Sequence, residues 1–266
     1  MKITLAGGGN MGKTYASAFI ANHLISADEL YLLEHLEEKA AELRAAGFSK
    51  VFHQANAEVL DTDLLIIAVK PQDAEALYRN ILPYLKPQQL VLSIMAGVKT
   101  EVIAKALNTD KVLRAMPNLP AQIGMGITGF TGTAAITRSE LLNVQNLLNA
   151  TGKSIYFDDE SMLDAVTAVS GSGPAYVFYF MDSMMYSAMS MGFTRQQAEL
   201  LVQQTFMGAV HLLGNNKISA SEWIARVASK GGTTEAALKV FDETKVCESI
   251  HDAQMAALNR AKELGS

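Results

Sequence analysis

The stretch Met1–Gly12, MKITLAGGGNMG, decides how the rest of the chain is read. Lys2 to Ala6 has the composition of a short buried strand, and Gly7, Gly9 and Gly12 then follow in the pattern G-x-G-x-x-G. A helix is expected from Asn10 to about Leu24, its apolar side carried by Met11, Tyr15, Ala18, Phe19 and Leu24. In such a strand–turn–helix unit each glycine has its own job. Gly7 permits the tight turn, Gly9 lets the backbone approach a pyrophosphate, and Gly12 lets helix and strand pack closely. The unpaired N–H groups at the helix start face the phosphates. A second strand, Glu29 to Leu33, ends at Glu34, 22 positions after Gly12, where an acid that binds a ribose belongs. The alternatives are a glycine-rich turn without a ligand and a site for another nucleotide. The flanking strand, helix and acid favour a dinucleotide.

Outward from this unit the alternation continues to about residue 158. A polar helix, Leu36 to Ala46, is stopped by Gly47, and a weak strand follows over Lys50 to His53. Asp63 to Val69 (DLLIIAV) is a continuous apolar run, as expected of a central parallel strand covered on both faces. Leu90 to Ile94 and Lys111 to Met116 are further strands, with helices expected over Asp73 to Leu82 and Thr100 to Leu107. In doubly wound sheets ligands bind beyond the carboxyl ends of the strands. Those ends carry the glycine turn, Glu34, Lys70, Ala96-Gly97 and Met116-Pro117-Asn118, which are expected to meet in one crevice.

From about Asp159 strands disappear and methionines accumulate. Helices are expected over Pro174 to Met191, Arg195 to Leu213, Ser221 to Ala228, Thr234 to Asp242 and Thr244 to Leu264. The expected fold is therefore α/β: a Rossmann-type doubly wound sheet over residues 1–158, then an all-α domain over 159–266. The helix from Pro174 is apolar nearly all round and needs partners on every side. About a hundred residues of helix do not cover it alone, so a homodimer built on this half is expected. Met181, Met184, Met185 and Met189 read as core or dimer interface, and Trp223 as a packing residue.

Composition narrows the function classes. The net charge is −5 with no basic run, which argues against nucleic acid as a partner. The single cysteine, Cys247, forms no internal disulfide framework, fits a reducing compartment and is expected to be buried or half-buried. No stretch reaches the length of a membrane span, and a strand opens the chain where a signal peptide would need an apolar core. The expected location is the cytoplasm. The histidines His23, His35, His53, His211 and His251 have no metal-ligand spacing, so no metal is expected.

Two further turns carry chemistry. Ser170-Gly171-Ser172-Gly173-Pro174 and Ser229-Lys230-Gly231-Gly232-Thr233-Thr234 each run into a helix start, with backbone N–H groups and hydroxyls suited to a carboxylate or phosphate. Their plain alternatives are a kink between packed helices and ordinary capping by Thr233 or Thr234. Asp158, Asp159 and Glu160 read as a solvated turn and helix start. No evident catalytic acid remains. Ketone reduction usually wants a proton donor, whereas hydride addition to an iminium ion removes charge from a nitrogen that is already protonated. Positioning then supplies most of the catalysis.

Taken together, GGGNMG (7–12), AVKP (68–71), RAMPNLP (114–120), SGSGPAY (170–176) and SKGGTT (229–234), in that order, resemble the pyrroline-5-carboxylate reductases across essentially the whole chain. The resemblance implies reduction of 1-pyrroline-5-carboxylate to L-proline by NADPH or NADH, in dimers with interwoven helical domains that often form a decamer. It implies that Gly7, Gly9, Asn10, Met11 and Gly12 hold the pyrophosphate, that Lys70 lines the cofactor site, and that Ala96, Gly97, Pro117 and Asn118 flank the nicotinamide. Ser172, Ser229, Gly231, Gly232, Thr233 and Thr234 would hold the substrate carboxylate, with Thr234 near the imine nitrogen. Three departures stand out: Leu119 where the family more often has Thr, Lys230 where it more often has Pro, and the acidic Glu34-His35-Leu36-Glu37-Glu38. An acid repels a 2′-phosphate and accepts from a free 2′-OH, so these residues lean to NADH where the family leans to NADPH. The rival readings are a β-hydroxyacid dehydrogenase of the 6-phosphogluconate type and a non-catalytic nucleotide-binding regulator. The first uses a lysine early in its second domain, and this chain has none between Lys153 and Lys217. The second has no need of another anion pocket.

Overall fold

A computed structural model describes residues 1–265. Ser266, the last residue of the expected second domain, lies outside the described residues. The chain runs β1 (Ile3–Ala6), α1 (Asn10–Ala21), β2 (Leu30–Leu33), α2 (Glu37–Ala45), β3 (Val51–Phe52), β4 (Leu64–Ile67), α3 (Ala74–Ile81), β5 (Leu90–Ser93), α4 (Thr100–Leu107) and β6 (Val112–Met116). It continues through β7 (Gly126–Gly132), α5 (Arg138–Leu148), β8 (Gly152–Tyr156), α6 (Met162–Val166) and a π-helical turn at Thr167–Gly171. Then come α7 (Gly173–Ser190), α8 (Arg195–Asn215), α9 (Ala220–Val227), α10 (Thr233–Glu243) and α11 (Val246–Leu264). Two compact units result: Met1–Gly173 with Ala257–Ser266, and Pro174–Ala256.

In the first unit the strands form one sheet in the order β3-β2-β1-β4-β5-β6-β7-β8. β1 to β6 are parallel; β7 runs antiparallel to β6, and β8 pairs parallel to β7. The apolar runs explain why. In β4, Leu64 and Ile66 enter the core on one face while Leu65 and Ile67 enter the core on the other, all essentially inaccessible. A strand without a wet face has to be central, with helices on both sides. Each such side chain contributes roughly 1.5–3 kcal/mol by leaving water.

The region β7–α5–β8 goes beyond the sequence reading, which named no elements between Met116 and Asp158. β7 is rich in glycine for a packing reason: a Cβ at Gly129 would press on Val166 of α6, and one at Gly126 on Ala121. α5 opens with a capping box in which the Thr137 hydroxyl and the Glu140 carboxylate exchange bonds with each other's backbone N–H.

The second unit is helical among the described residues. α7 contains no buried residue, and Phe178, Tyr179 and Tyr186 are 58%, 72% and 71% exposed. Gly192, at φ +102°, ends that helix turn in the left-handed region. Cys247 is exposed in the single chain rather than buried or half-buried. No helix of the described residues is long and apolar enough to cross a membrane, and no His/Cys/Asp/Glu group among them has metal-site geometry.

Candidate active site

At the carboxyl ends of β1, β2, β4 and β5 lies a cleft of about 720 Å³. It gathers Gly7, Gly9, Asn10, Met11, Glu34, Lys70 and Ala96, together with His35, Lys39 and Asp73. Of the strand ends expected to meet, those of β1, β2, β4 and β5 line this cleft, while Met116-Pro117-Asn118 at the end of β6 does not. A second cleft of about 640 Å³ at the opposite strand ends is lined by charged side chains such as Glu29, Asp61 and Lys86, and has no glycine turn.

The glycines divide their work as the turn demands. Gly7 sits at φ +108°, and a Cβ there would lie 2.7 Å from the Ala68 carbonyl. A Cβ on Gly12 would overlap the Gly7 carbonyl oxygen, so Gly12 serves the packing of α1 on the turn and does not line the cleft. Gly9 differs from both. It is the N-cap of α1, with ordinary extended backbone at φ −67°, and a Cβ there would meet nothing within 4 Å. The space it leaves is the cleft itself. α1 has no acidic residue in its first turn and no side chain capping its start, so its free N–H groups are open to an anion. The residues present fit a dinucleotide pyrophosphate.

Glu34 is 3% exposed. Its Oε2 accepts from the Gly8 N–H at 2.7 Å and its Oε1 from the Leu36 N–H at 2.9 Å. His35 Nδ1 lies 3.4 Å from Oε1. The sequence reading placed the acid correctly at the end of β2 but gave it only a ribose to bind; it also clasps the glycine turn.

The residues expected around the nicotinamide are less uniform. Ala96 lines the cleft, while Gly97, at φ +76°, packs against the end of α11, where a Cβ would lie 3.0 Å from the Leu264 carbonyl oxygen. Pro117 and Asn118 are buried, and Asn118 Oδ1 accepts from the Ile127 N–H at 2.9 Å. That bond fixes the turn between β6 and β7. Ser172 follows the π turn; its N–H donates to the Thr167 carbonyl at 2.9 Å, and its hydroxyl makes no hydrogen bond among the described residues. Gly171 beside it packs on Met116, whose Cε would lie 2.7 Å from a Cβ there.

In the second unit, Gly231 at φ +72° turns the chain and Gly232 caps α10, so neither Thr233 nor Thr234 is the capping residue. Their hydroxyls and that of Ser229 make no hydrogen bond among the described residues. The Gly231 N–H donates to the Glu235 carboxylate. The turn and α10 line a shallow cleft of about 560 Å³ that includes Gly231, Gly232 and Glu235.

Glu160 departs most from its expected role. The sequence reads as a solvated turn and helix start here, and Asp159 does hold the turn before α6 by accepting from the Ser161 N–H at 2.8 Å. Glu160 instead reaches Arg114 and Thr100. One acid within an Asp-Asp-Glu run carries no signal of such a partner; the available clue was an arginine, Arg114, inside the apolar strand of RAMPNLP.

A parallel sheet with a glycine-cradled cleft at its carboxyl ends, followed by a helical unit with unpartnered apolar faces, defines an NAD(P)H-dependent oxidoreductase. Residues 2–97 match the family model described as NADP oxidoreductase, coenzyme F420-dependent, and residues 160–264 match that for pyrroline-5-carboxylate reductase dimerisation. The chain belongs to the pyrroline-5-carboxylate reductase family and carries its dimerisation domain. It is 35% identical to the pyrroline-5-carboxylate reductase of Pseudomonas aeruginosa over 99% of this chain and 96% of the relative. A pyrroline-5-carboxylate reductase structure from Coxiella burnetii superposes with a TM-score of 0.91 at 31% identity, covering 100% of this chain and 98% of the other. The Plasmodium falciparum pyrroline carboxylate reductase with NADP bound gives 0.89 at 25% identity, over 100% and 98%.

Proposed function

We propose that this protein reduces 1-pyrroline-5-carboxylate to L-proline in the cytoplasm, as a homodimer that assembles further into a decamer. Residues 1–158 serve the nucleotide, and residues 159–266 serve substrate and dimerisation. When bound, NAD(P)H supplies a hydride from nicotinamide C4 to ring C5, the C=N electron pair moves to the protonated nitrogen, and proline and NAD(P)⁺ remain.

The chain's own residues bind and orient. Gly7, Gly9, Asn10, Met11 and Gly12 form the pyrophosphate turn, Glu34 and Lys70 flank it, and Ala96, Gly97, Pro117 and Asn118 shape the nicotinamide end. Ser172, Ser229, Gly231, Gly232, Thr233 and Thr234 hold the substrate carboxylate, with Thr234 toward the imine nitrogen. The observation that supports this reading is the start of α10, where no side chain caps the helix and the Ser229, Thr233 and Thr234 hydroxyls make no hydrogen bond among the described residues. The substrate carboxylate takes backbone N–H donors at this helix start, beside hydroxyls that have no other partner among the described residues. No proton donor is required, because the substrate nitrogen arrives protonated.

The test is nicotinamide absorbance at 340 nm with 1-pyrroline-5-carboxylate, run with NADPH and NADH in parallel. Oxidation with either cofactor supports the assignment. A protein that binds nucleotide yet oxidises neither overturns it.

A further inference from the structure

Three segments of the first unit, assigned above to the reacting end of the site, leave the sheet separately. They are the turn after β5, with Ala96 and Gly97, which enters α4; the end of β6, which leads to Pro117 and Asn118; and α6 with its π turn, which leads to Ser172. One charge cluster ties all three. Arg114, on β6 and 2% exposed, donates from Nη1 to Glu160 Oε1 at 3.1 Å and from Nη2 to Asp164 Oδ1 at 3.4 Å. Glu160, in the turn that precedes α6, and Asp164, within α6, meet the same guanidinium. Glu160 also accepts from the Thr100 N–H at 2.8 Å, and its Oε2 accepts from the Thr100 hydroxyl at 2.7 Å. Thr100 is the first residue of α4. The guanidinium is a rigid planar fork, so its two bonds fix α6 in angle as well as distance.

Packing alone does not explain the cluster. Arg114 Nε is buried with no hydrogen-bond partner among the described residues. An incompletely satisfied buried ion cluster is commonly no more stable than apolar residues of the same volume. Its gain lies in geometry. Met116, two residues along β6 from Arg114, seats Gly171, and Ser172 is next. A reaction that relies on positioning is sensitive to such a link, since a displacement of about 1 Å costs on the order of 100-fold in rate.

We propose that Arg114, Glu160 and Asp164 are positioning residues that lock the turn after β5, the end of β6 and the Ser172 segment into the geometry of hydride transfer. The proposal rests on the imine reductase reading, and its test is built to fail separately. Glu160→Ala removes every bond of the carboxylate. Glu160→Gln keeps an acceptor for Thr100 and Arg114 and offers an N–H to the Thr100 hydroxyl. The expected result for Glu160→Ala is a kcat about 30-fold lower, with a larger isotope effect from C4-deuterated nicotinamide and an NADH Kd within about twofold of the parent. Glu160→Gln restores most of the kcat. Hydrogen exchange on the nucleotide-free proteins gives a readout independent of turnover: in Glu160→Ala, exchange rises at residues 96–101 and 167–173 but not in β1 and β4. Arg114→Lys, which retains charge but loses the fork, follows Glu160→Ala in isotope effect. A folded Glu160→Ala with parental kcat and isotope effect overturns the proposal, as does exchange that rises evenly through the sheet. If the parent itself oxidises no cofactor, the assigned reaction falls, and the exchange comparison alone decides the cluster.

Discussion

Replacing Glu34 with Ser tests two roles of one carboxylate. Its two backbone bonds, to Gly8 at 2.7 Å and Leu36 at 2.9 Å, hold the glycine turn whichever cofactor binds. Hydrogen bonds to a charged acceptor contribute about 1.5–3 kcal/mol each, and water refills part of the space a serine leaves, so a net loss of about 2–3 kcal/mol is expected. That loss is common to NADH and NADPH, and it lowers kcat/KM for both by roughly 30- to 150-fold. The ratio between the cofactors isolates the second role. Two unit charges about 5 Å apart repel by about 3 kcal/mol at an effective dielectric of about 20, and solvent at an open cleft reduces this to about 1.5 kcal/mol. Removing the carboxylate should therefore raise the NADPH:NADH ratio of kcat/KM about tenfold. Initial rates at 340 nm for parent and variant, at low and high salt, give both quantities. An unchanged ratio would show that Glu34 does not face the 2′ position. An unchanged NADH kcat/KM would show that the clasp on Gly8 does not organise the turn.

The other glycines and the second turn give sharper contrasts. Gly9→Ala should leave thermal unfolding within about 2 °C of the parent, because the added methyl meets nothing, yet weaken nucleotide binding at least tenfold by filling the cleft. Gly12→Ala should fail at the level of folding, since its methyl overlaps the Gly7 carbonyl; a stable Gly12→Ala protein would refute the packing. Thr234→Ala removes a hydroxyl without a structural partner, so kcat/KM for the imine should fall about 10- to 100-fold with unfolding unchanged, and a parental kcat/KM would remove Thr234 from the site. Tyr179→Glu, on the uncovered side of α7, should shift the protein toward monomer in sedimentation; retention of the parental assembly would place Tyr179 outside the interface.

What could be read from the sequence follows from how each element is stabilised. β4 was legible because burial on both faces demands an unbroken apolar run, and β1 because a short buried strand leads straight into the glycine turn. The start of α4 at Thr100 and the order of α7 to α11 were legible from periodicity, whereas α6 and the π turn after it were not named. β7 was not, because Gly126, Gly129 and Gly132 depress strand propensity, and the close approach of Ala121 and Val166 that requires two of them is a tertiary fact. α5 was missed although its capping box, Thr137-Arg138-Ser139-Glu140, stood in the sequence. At the cleft, the turn was legible because Gly7 takes a left-handed φ and Gly12 a close approach that exclude a side chain, while Gly9 leaves the cleft open. Glu34's clasp and Glu160's link to Arg114 were not, because both depend on partners 26 and 46 positions away.

Those two acids share a logic that follows from the chemistry. A reductase acting on a protonated imine has little acid–base work to divide among its side chains, so its ionisable groups are free to serve geometry. Glu34 clasps the glycine turn, and Glu160, through Arg114 and Thr100, ties the start of α4 and β6 to the turn before α6. Both use charge-assisted bonds to backbone or guanidinium donors, which are directional where apolar packing is not. The absence of an evident catalytic acid and the presence of structural carboxylates next to the cleft are then two sides of one arrangement: catalysis supplied by holding reactants still.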